Sequence, residues 1–291
     1  MNKQLHRGTG LLWIEAINSN PNGNPDQDSE PRTRTDGLGM ISPVSLKHKV
    51  RELVGDKEGS IWQEISGDLG ISAEESWRYD ILEQKETKRI EVRKLSNQEF
   101  LDKYWDARVF GSTFLEKNEK DSTYIHTGVV QFGLGISLSP IEVDRLTTTK
   151  ILPAEDGKGK GMGPLSYRVV RYGLYTMPFF VNAVMARRTQ CTALDIELLL
   201  RVLPHAYEAT ASYMRPQVNI RHAYYVEHGK ARGCFNDLEI IETLTPTPLA
   251  LDIPAKSIKD YDVESVYEKI TALNEKMQGK AGPVTDLMEM M

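Results

Sequence analysis

The chain reads as an α+β protein, and the order of its hydrophobic patterns carries that reading. With one insertion and one arm set aside, the patterns run strand, helix, strand, strand, helix, strand. Two capped, amphipathic helix signatures, opening at Ser42-Pro43 and at Thr192, separate β-rich runs. A further helix pattern follows a proline-rich stretch near the C-terminal end.

Leu11-Leu12-Trp13-Ile14 begins the first strand, which extends to Asn18. A loop then starts where that strand should stop: Asn18-Ser19-Asn20-Pro21-Asn22-Gly23-Asn24-Pro25-Asp26, ending in Pro31-Arg32. Asn, Gly and Pro accept left-handed or fixed backbone angles. Such a loop can turn backbone N–H groups toward phosphate, as helix N-termini and nests do. The alternative is a surface turn without a ligand. In the following helix Ser42 is the N-cap and Pro43 the first helical residue. Leu46, Val50, Leu53 and Val54 make one buried stripe, while Lys47 and Arg51 share another face, two long cations side by side.

Residues 56–125 predict an acidic, mostly helical insertion in which Trp62, Ile65 and Leu69 pack on the core. Ser96-Asn97-Gln98-Glu99 is a capping-box pattern for a helix carrying Phe100, Leu101, Tyr104 and Trp105 and ending near Arg108 and Gly111. Arg108 either reaches phosphate or lies with its stem covered at the helix end. Val129 to Leu138 reads as a strand, with Gly133 and Gly135 marking a bulge or close approach. Tyr167 to Met177 is a second long strand. Between them, Pro140 to Pro164 reads as an extended hairpin with the glycine-rich tip Gly157-Lys158-Gly159-Lys160-Gly161. That run lacks the spacing and the strand-to-helix context of a P-loop, so nucleotide binding is excluded.

Thr192 caps the next helix, with Leu194, Leu198, Val202, Ala206 and Tyr207 as its core stripe, and Asn219 to His228 returns as a strand. Pro246, Pro248 and Pro254 stiffen a linker, and Asp262 opens a last helix with Val266, Ile270, Leu273 and Met277 on one face. The order is the ferredoxin-like or RRM βαββαβ order, which many functions share. The expected organisation is an RRM-like core over residues 1–245, holding the helical insertion at 56–125 and the hairpin at 140–164. Residues 246–291 form a C-terminal linker and helix.

At 40% hydrophobic and 26% charged residues, the composition is that of an ordinary soluble protein. No apolar run approaches the roughly 18 residues of a membrane span. Glu15 arrives after only a short apolar stretch, which speaks against a signal peptide. Cys191 and Cys234 are too few for a disulfide scaffold or a cysteine-rich zinc site, and a reducing bacterial or archaeal cytoplasm fits best. A net charge of -5 argues against an indiscriminate nucleic-acid binder. The distribution of charge points the other way. Basic residues gather at Arg32, Arg34, Lys47, Lys49 and Arg51, again at Arg145, Lys150, Lys158, Lys160, Arg168 and Arg171, and at Arg187-Arg188. Acidic residues gather between Glu52 and Glu91 and in the C-terminal helix. A divided surface can hold a phosphate chain in one groove and stay soluble elsewhere, although a charge cluster is more often only a solvated face.

Catalysis finds little support. Asp26, Asp28, Glu30 and Asp36 could hold Mg²⁺ with His48 as a base, yet they lie in a Pro- and Gly-rich loop without EF-hand spacing. His126, His205, His222 and His228 form no His-Glu-x-x-His pair, and no Gly-x-Ser-x-Gly elbow occurs. The aromatic signature of base-stacking RRM strands is absent. Tyr172, Tyr175, Tyr224 and Tyr225 fall on strands whose alternation buries about half of them. Backbone-directed binding therefore fits better than base reading.

Four ordered motifs resemble a known family. They are Asn20-Pro21-Asn22-Gly23-Asn24-Pro25-Asp26 with Pro31-Arg32 and Ile41 through Arg51; Trp105-Asp106-Ala107-Arg108-Val109-Phe110-Gly111; Gly128-Val129-Val130-Gln131-Phe132; and Tyr172-Gly173-Leu174-Tyr175. Together they span most of residues 10 to 230 and are similar to the signature of the Cas-seven family. These are the repeated backbone subunits of type I CRISPR surveillance complexes (Cascade), especially of subtypes B and C. Asn24 departs from the pattern, where many relatives carry Asp, and the segment after Gly161-Met162-Gly163 lacks the usual basic pair.

The resemblance implies a non-catalytic subunit, without cofactor or metal, that polymerises along a CRISPR guide RNA and presents it to a target DNA strand. Asn20, Asn22, Arg32, Lys47, Lys49 and Arg51 would hold guide phosphates, joined by Arg108 and Arg168. The hairpin from about Pro140 to Pro164 would act as a thumb reaching toward the next copy. Leu152 or Met162 would be its apolar wedge, with Lys158 and Lys160 steering it. Implied partners are the guide RNA, target DNA, further copies and other Cascade subunits, in the cytoplasm and away from membranes. Type III relatives cut RNA with an acidic residue in the first loop. A metal-dependent RNase using Asp26 or Asp28 therefore stays open, as does a generic single-strand RNA-binding module.

Overall fold

The computed structural model describes residues 4–85, 87–117, 123–151 and 162–290. Strand β1 (Gly8–Ser19) leads through a small hairpin, Gly23–Asn24 with Glu30–Pro31, to β2 (Leu38–Ile41) and helix α1 (Pro43–Gly55). The insertion holds α2 (Ser60–Asp68), α3 (Asn97–Lys103) and α4 (Trp105–Phe110). It ends in a β-hairpin, β3 (Gly111–Lys117) with β4 (Thr123–Thr127), so its last part is not helical as expected. Strands β5 (Val130–Phe132), β6 (Gly135–Pro140), β7 (Val143–Ile151) and β8 (Met162–Val181) follow. Helix α5 (Ala193–Val202), β9 (Val218–Glu227), α6 (Asp237–Thr243), α7 (Glu264–Met277) and β10 (Thr285–Asp286) complete the chain.

The main sheet has eight strands among the described residues, in the order β10-β9-β1-β8-β6-β2, with β5 and β7 also pairing β8. All its pairings are antiparallel. The expected break in the third strand lies at Gly133, whose N–H donates to the Pro178 carbonyl (2.8 Å) between β5 and β6.

Both faces of the sheet are covered, so β1 is buried on both sides instead of alternating. Leu12, Ile14 and Ala16 join one core with Leu46, Val50 and Val54 of α1 and Ile196, Leu198 and Leu199 of α5. Leu11 and Trp13 join a second core with Ile240, Leu244, Val266, Leu273 and Met277. Trp13 Nε1 donates to the Leu244 carbonyl (2.9 Å), satisfying the indole N–H inside that layer. This second layer corrects one expectation. Tyr172, Tyr175, Tyr224 and Tyr225 are all buried, because α6 and α7 cover the face that alternation left to solvent.

The caps match the sequence signals. Ser42 accepts from Ser45 N with Pro43 at the first turn of α1, and capping boxes close at Ser96/Glu99 and Thr192/Asp195. Leu194, expected in the core stripe, is 36% exposed; Ile196 and Leu199 take its place beside Leu198 and Val202. The last helix starts at Glu264, while Asp262 pairs with Thr247 in a two-residue bridge and accepts from Ser265 N (3.2 Å). Among the described residues, no helix is long and apolar enough to cross a membrane.

Candidate nucleic-acid interface

Register brings three separate chain segments to one end of the sheet. Ser19 at the end of β1 is opposite Val170 of β8, and Ala16 is opposite Val218 at the start of β9. The loop after β1, the β7–β8 arm and the segment before β9 therefore emerge together. Beyond Val170, strand β8 continues back to Met162, among the described residues paired only with β7. At about 3.3 Å per residue, those eight residues project roughly 26 Å past the sheet.

The Asn-rich loop is a built structure. Gly23 and Asn24 pair with Pro31 and Glu30, and the turn between them is closed by Gln27 and Ser29 N–H groups donating to the Asn24 carbonyl (3.1 and 3.0 Å). Asn18, Asp28 and Ser29 adopt left-handed backbone (φ 45°, 45° and 59°). Asn22 Oδ1 accepts from Ser42 N (2.7 Å), which fixes the loop to the start of α1. Asn20 is 1% exposed; its Nδ2 donates to the Ser29 carbonyl (2.7 Å). On the other side, its backbone N–H donates to the Met214 carbonyl and its carbonyl accepts from Arg215 Nε (3.0 Å). Asn20 and Asn22 thus hold the loop's shape, and its tip from Pro25 to Ser29 is exposed. Two buried polar atoms beside it, Asn20 Oδ1 and Arg32 Nε, have no hydrogen-bond partner among the described residues.

The predicted cations separate into two groups. Arg32 is half-buried and makes no ion pair among the described residues. Lys47 is half-buried with Nζ 5.2 Å from the centre of the Phe110 ring; burial and neighbouring Arg51 lower its pKa. Arg168 sits at the base of the arm and pairs with Glu30 at 2.7 Å, which ties arm to loop. Arg145, across the arm from Arg168, is exposed and donates through Nε to Ser166 Oγ.

Lys49, Arg51 and Arg108 belong to the second group and correct the sequence reading: they are 5%, 6% and 5% exposed. Lys49 Nζ donates to Thr210 Oγ1 and lies 5.0 Å from the Tyr207 ring; burial, with Arg215 nearby, pushes it down to about 8. Arg51 pairs with Asp106 (2.9 Å) and Glu83 (3.0 Å). Asp106 also accepts from Leu82 N (2.7 Å) and Glu83 N (3.2 Å), pinning the insertion to α1. Arg108 grips Asp195 through two nitrogens (2.7 and 3.2 Å) and donates to the carbonyls of Leu101, Asp102 and Arg78. Trp105 Nε1 donates to the Asp195 carbonyl (3.2 Å). The Trp105–Gly111 motif is therefore the joint of insertion, α1 and α5. A buried guanidinium committed to carboxylates is withdrawn from the surface that phosphate reaches.

Lys158, Lys160 and Leu152 lie outside the described residues. Met162 begins β8 opposite Ile151, at the far end of the described arm. Sequence reasoning missed Arg215, which links the Asn20 loop to the segment before β9, and the pair Tyr167–Tyr213 (5.2 Å, edge-on) beside it. Nothing local in the sequence flags either; only the folded register brings residues 167 and 213 together.

Asp26 and Asp28 are exposed, and Asp26 N donates to Asn24 Oδ1 (3.4 Å) in an Asx-type turn. Glu30 is engaged by Arg168 and Asp36 by Arg34. Among the described residues, no cluster of three or more His, Cys, Asp or Glu side chains is arranged to hold a metal ion.

The family model described as CRISPR-associated protein Cas7 matches residues 6–266. A CRISPR-associated protein Cas7 of Haloferax volcanii is 26% identical over 211 residues, covering 67% of this chain and 62% of that protein. The match thus spans less than two thirds of that relative's length. A chain of a solved CRISPR RNA-guided surveillance complex, pre-nicking, aligns over 94% of this chain and 90% of its own at TM-score 0.51 and 14% identity. A second surveillance-complex chain aligns over 93% and 86% at TM-score 0.43 and 16% identity. The former likeness speaks to the fold. With its model matched from residue 6 to residue 266, this chain belongs to the CRISPR-associated protein Cas7 family.

Proposed function

We propose that this protein is a non-catalytic backbone subunit of a type I CRISPR surveillance complex, coating the guide RNA in several copies. The observation that carries the reading is the convergence at one sheet end of the shaped Asn loop, Arg32 with no ion pair among the described residues, and the projecting β7–β8 arm. A shaped loop with an exposed tip beside a cation that makes no ion pair among the described residues suits phosphate, and backbone contacts position RNA without reading its sequence. The phosphate set is the loop from Asn20 to Asn24 with Arg32, Lys47 and Arg168, with Lys158 and Lys160 steering the hairpin to the RNA. The arm acts as a thumb over the RNA toward the next copy, with Leu152 or Met162 wedging out a nucleotide. The bases between thumbs stay exposed, so pairing reads the target DNA. The central order β9-β1-β8-β6, with α1 and α5 as crossovers, supports a ferredoxin-like core beneath this surface.

The test is the salt dependence of affinity for a guide-like single-stranded RNA. Arg32→Ala with Lys47→Ala should weaken binding and reduce the slope of log K against log salt by about 0.7 for each phosphate no longer neutralised. An unchanged slope with unchanged affinity would remove this face from the RNA path. RNA cleavage dependent on Mg²⁺ and abolished in Asp26→Ala or Asp28→Ala would replace the reading with a metal-dependent RNase.

A further inference from the structure

Tyr213 stands beside the Asn loop with its ring open to solvent. It is 63% exposed, and it packs edge-on against Tyr167 at the base of the arm (ring centres 5.2 Å apart). Leu146, opposite Tyr167 across the arm and so on the same face, is 40% exposed. An aromatic and aliphatic strip thus lies open at the end of the sheet where the loop, the arm and the segment before β9 emerge.

The turn that carries Tyr213 is fixed in place. Arg215 N donates to the Ser212 carbonyl (2.8 Å), which puts Tyr213 and Met214 at the tip. The tip is joined to the Asn loop from both sides: Asn20 N donates to the Met214 carbonyl (2.8 Å), and Arg215 Nε donates to the Asn20 carbonyl (3.0 Å). Gln217 N donates to Ser19 Oγ (3.0 Å), anchoring the segment once more at the end of β1. The backbone under the ring is therefore set before any ligand arrives, which lowers the entropy lost on binding.

The charges around the ring favour an anion. Arg215 spends only Nε on Asn20, and its two terminal nitrogens make no hydrogen bond among the described residues. Asp144, on the same face of the arm as Tyr167, is paired with Arg171 (2.7 Å), and Glu30 of the loop is paired with Arg168 (2.7 Å). Glu208, the acidic residue between Ala206 and Gln217, lies beside His205. An open ring with a cation next to it is the combination that holds single-stranded nucleic acid, the cation on the backbone and the ring on a base.

We propose that Tyr213 is a stacking platform for one base of a single-stranded RNA, with Tyr167 bracing its ring and the terminal nitrogens of Arg215 turned to the adjoining phosphate. The proposal rests on the RNA-binding reading above and adds a base contact to it. Every base has a π-face, so the platform accepts any of the four, in keeping with binding that does not read sequence.

The experiment measures affinity and salt dependence for full-length wild type, Tyr213→Ala and Tyr213→Phe on two oligomers. One is a short single-stranded RNA; the other is the same ribose-phosphate chain without bases. Tyr213→Ala should bind the RNA about fivefold to a hundredfold more weakly, with the salt slope unchanged, and Tyr213→Phe should bind it like wild type. On the abasic chain all three proteins should bind alike. Unchanged affinity of Tyr213→Ala for the RNA overturns the proposal, as does an equal loss on both oligomers, which would make Tyr213 a support of the loop and not a partner of a base. Salt-dependent binding of both oligomers with no effect of Tyr213→Ala would reject the platform and keep the RNA-binding reading. Wild-type protein that binds neither oligomer would reject both.

Discussion

Arg108→Ala should cost stability and spare RNA binding, and the size of the cost follows from the burial of Arg108 and Asp195. Both side chains are buried, the pair is bidentate, and Arg108 also satisfies three backbone carbonyls. Removing one partner of such a pair leaves the other charge uncompensated, typically about 3–5 kcal/mol. Asp195 keeps some support, because it still accepts from Thr192 N (2.7 Å) and Thr192 Oγ1 (2.9 Å) at the start of α5. That places the expected loss near the lower bound, about 3 kcal/mol, a sizeable share of the roughly 5–15 kcal/mol that holds a folded protein. Urea unfolding should show a lower midpoint at unchanged slope, while the folded variant binds guide-like RNA with the wild-type salt dependence. A variant with wild-type stability and a weakened, flatter salt response would refute the reasoning. Arg108 would then face RNA and not the joint.

Three further outcomes follow from the same geometry. A Cβ at Gly128 would lie 2.2 Å from Gly111 N and 2.2 Å from Phe110 C, both backbone atoms; Gly128→Ala should therefore lower the thermal midpoint sharply, and an unchanged midpoint would contradict the packing. Burial holds Lys57 at about 7 and Lys49 at about 8, below their usual range. The unfolded chain thus binds protons between pH 7 and 9 that the folded chain has released, so these groups make stability rise with pH across that window. Lys49→Met with Lys57→Met should flatten that rise in urea unfolding measured at several pH values. Arg51→Ala should destabilise by about 3–5 kcal/mol through the stranded Asp106 carboxylate, whereas Arg32→Ala should leave the unfolding midpoint within error of wild type.

Local chemistry was legible in the sequence where it acts over a few residues. Ser42-Pro43, Ser96/Glu99 and Thr192/Asp195 mark helix starts because a cap is made by side chains within three positions of each other. The stripe Leu46, Val50, Leu53 and Val54 was readable for the same reason. The basic residues of α1 and α4 were not. Arg51 finds Asp106 across 55 positions and Arg108 finds Asp195 across 87, and no local pattern tells a cation committed to such a partner from a free one. The four strand tyrosines were misjudged because alternation describes a sheet with one open face, and residues 237–277 close the second. The loop from Asn20 to Arg32 was readable as a turn-rich segment at the end of the first strand from its residue types. That it shares its end of the sheet with the arm and with Arg215 depends on register between strands more than 140 residues apart.

The central claim is that this protein coats RNA in repeated copies and does not cut it. Nuclease footprinting of a guide-like RNA, with purified protein and a divalent metal present, tests it most directly. Protection with hypersensitive positions at a constant interval, and intact RNA when the probing nuclease is omitted, is the predicted result. Cleavage by the protein itself at that interval, or a featureless footprint without periodicity, would contradict the account.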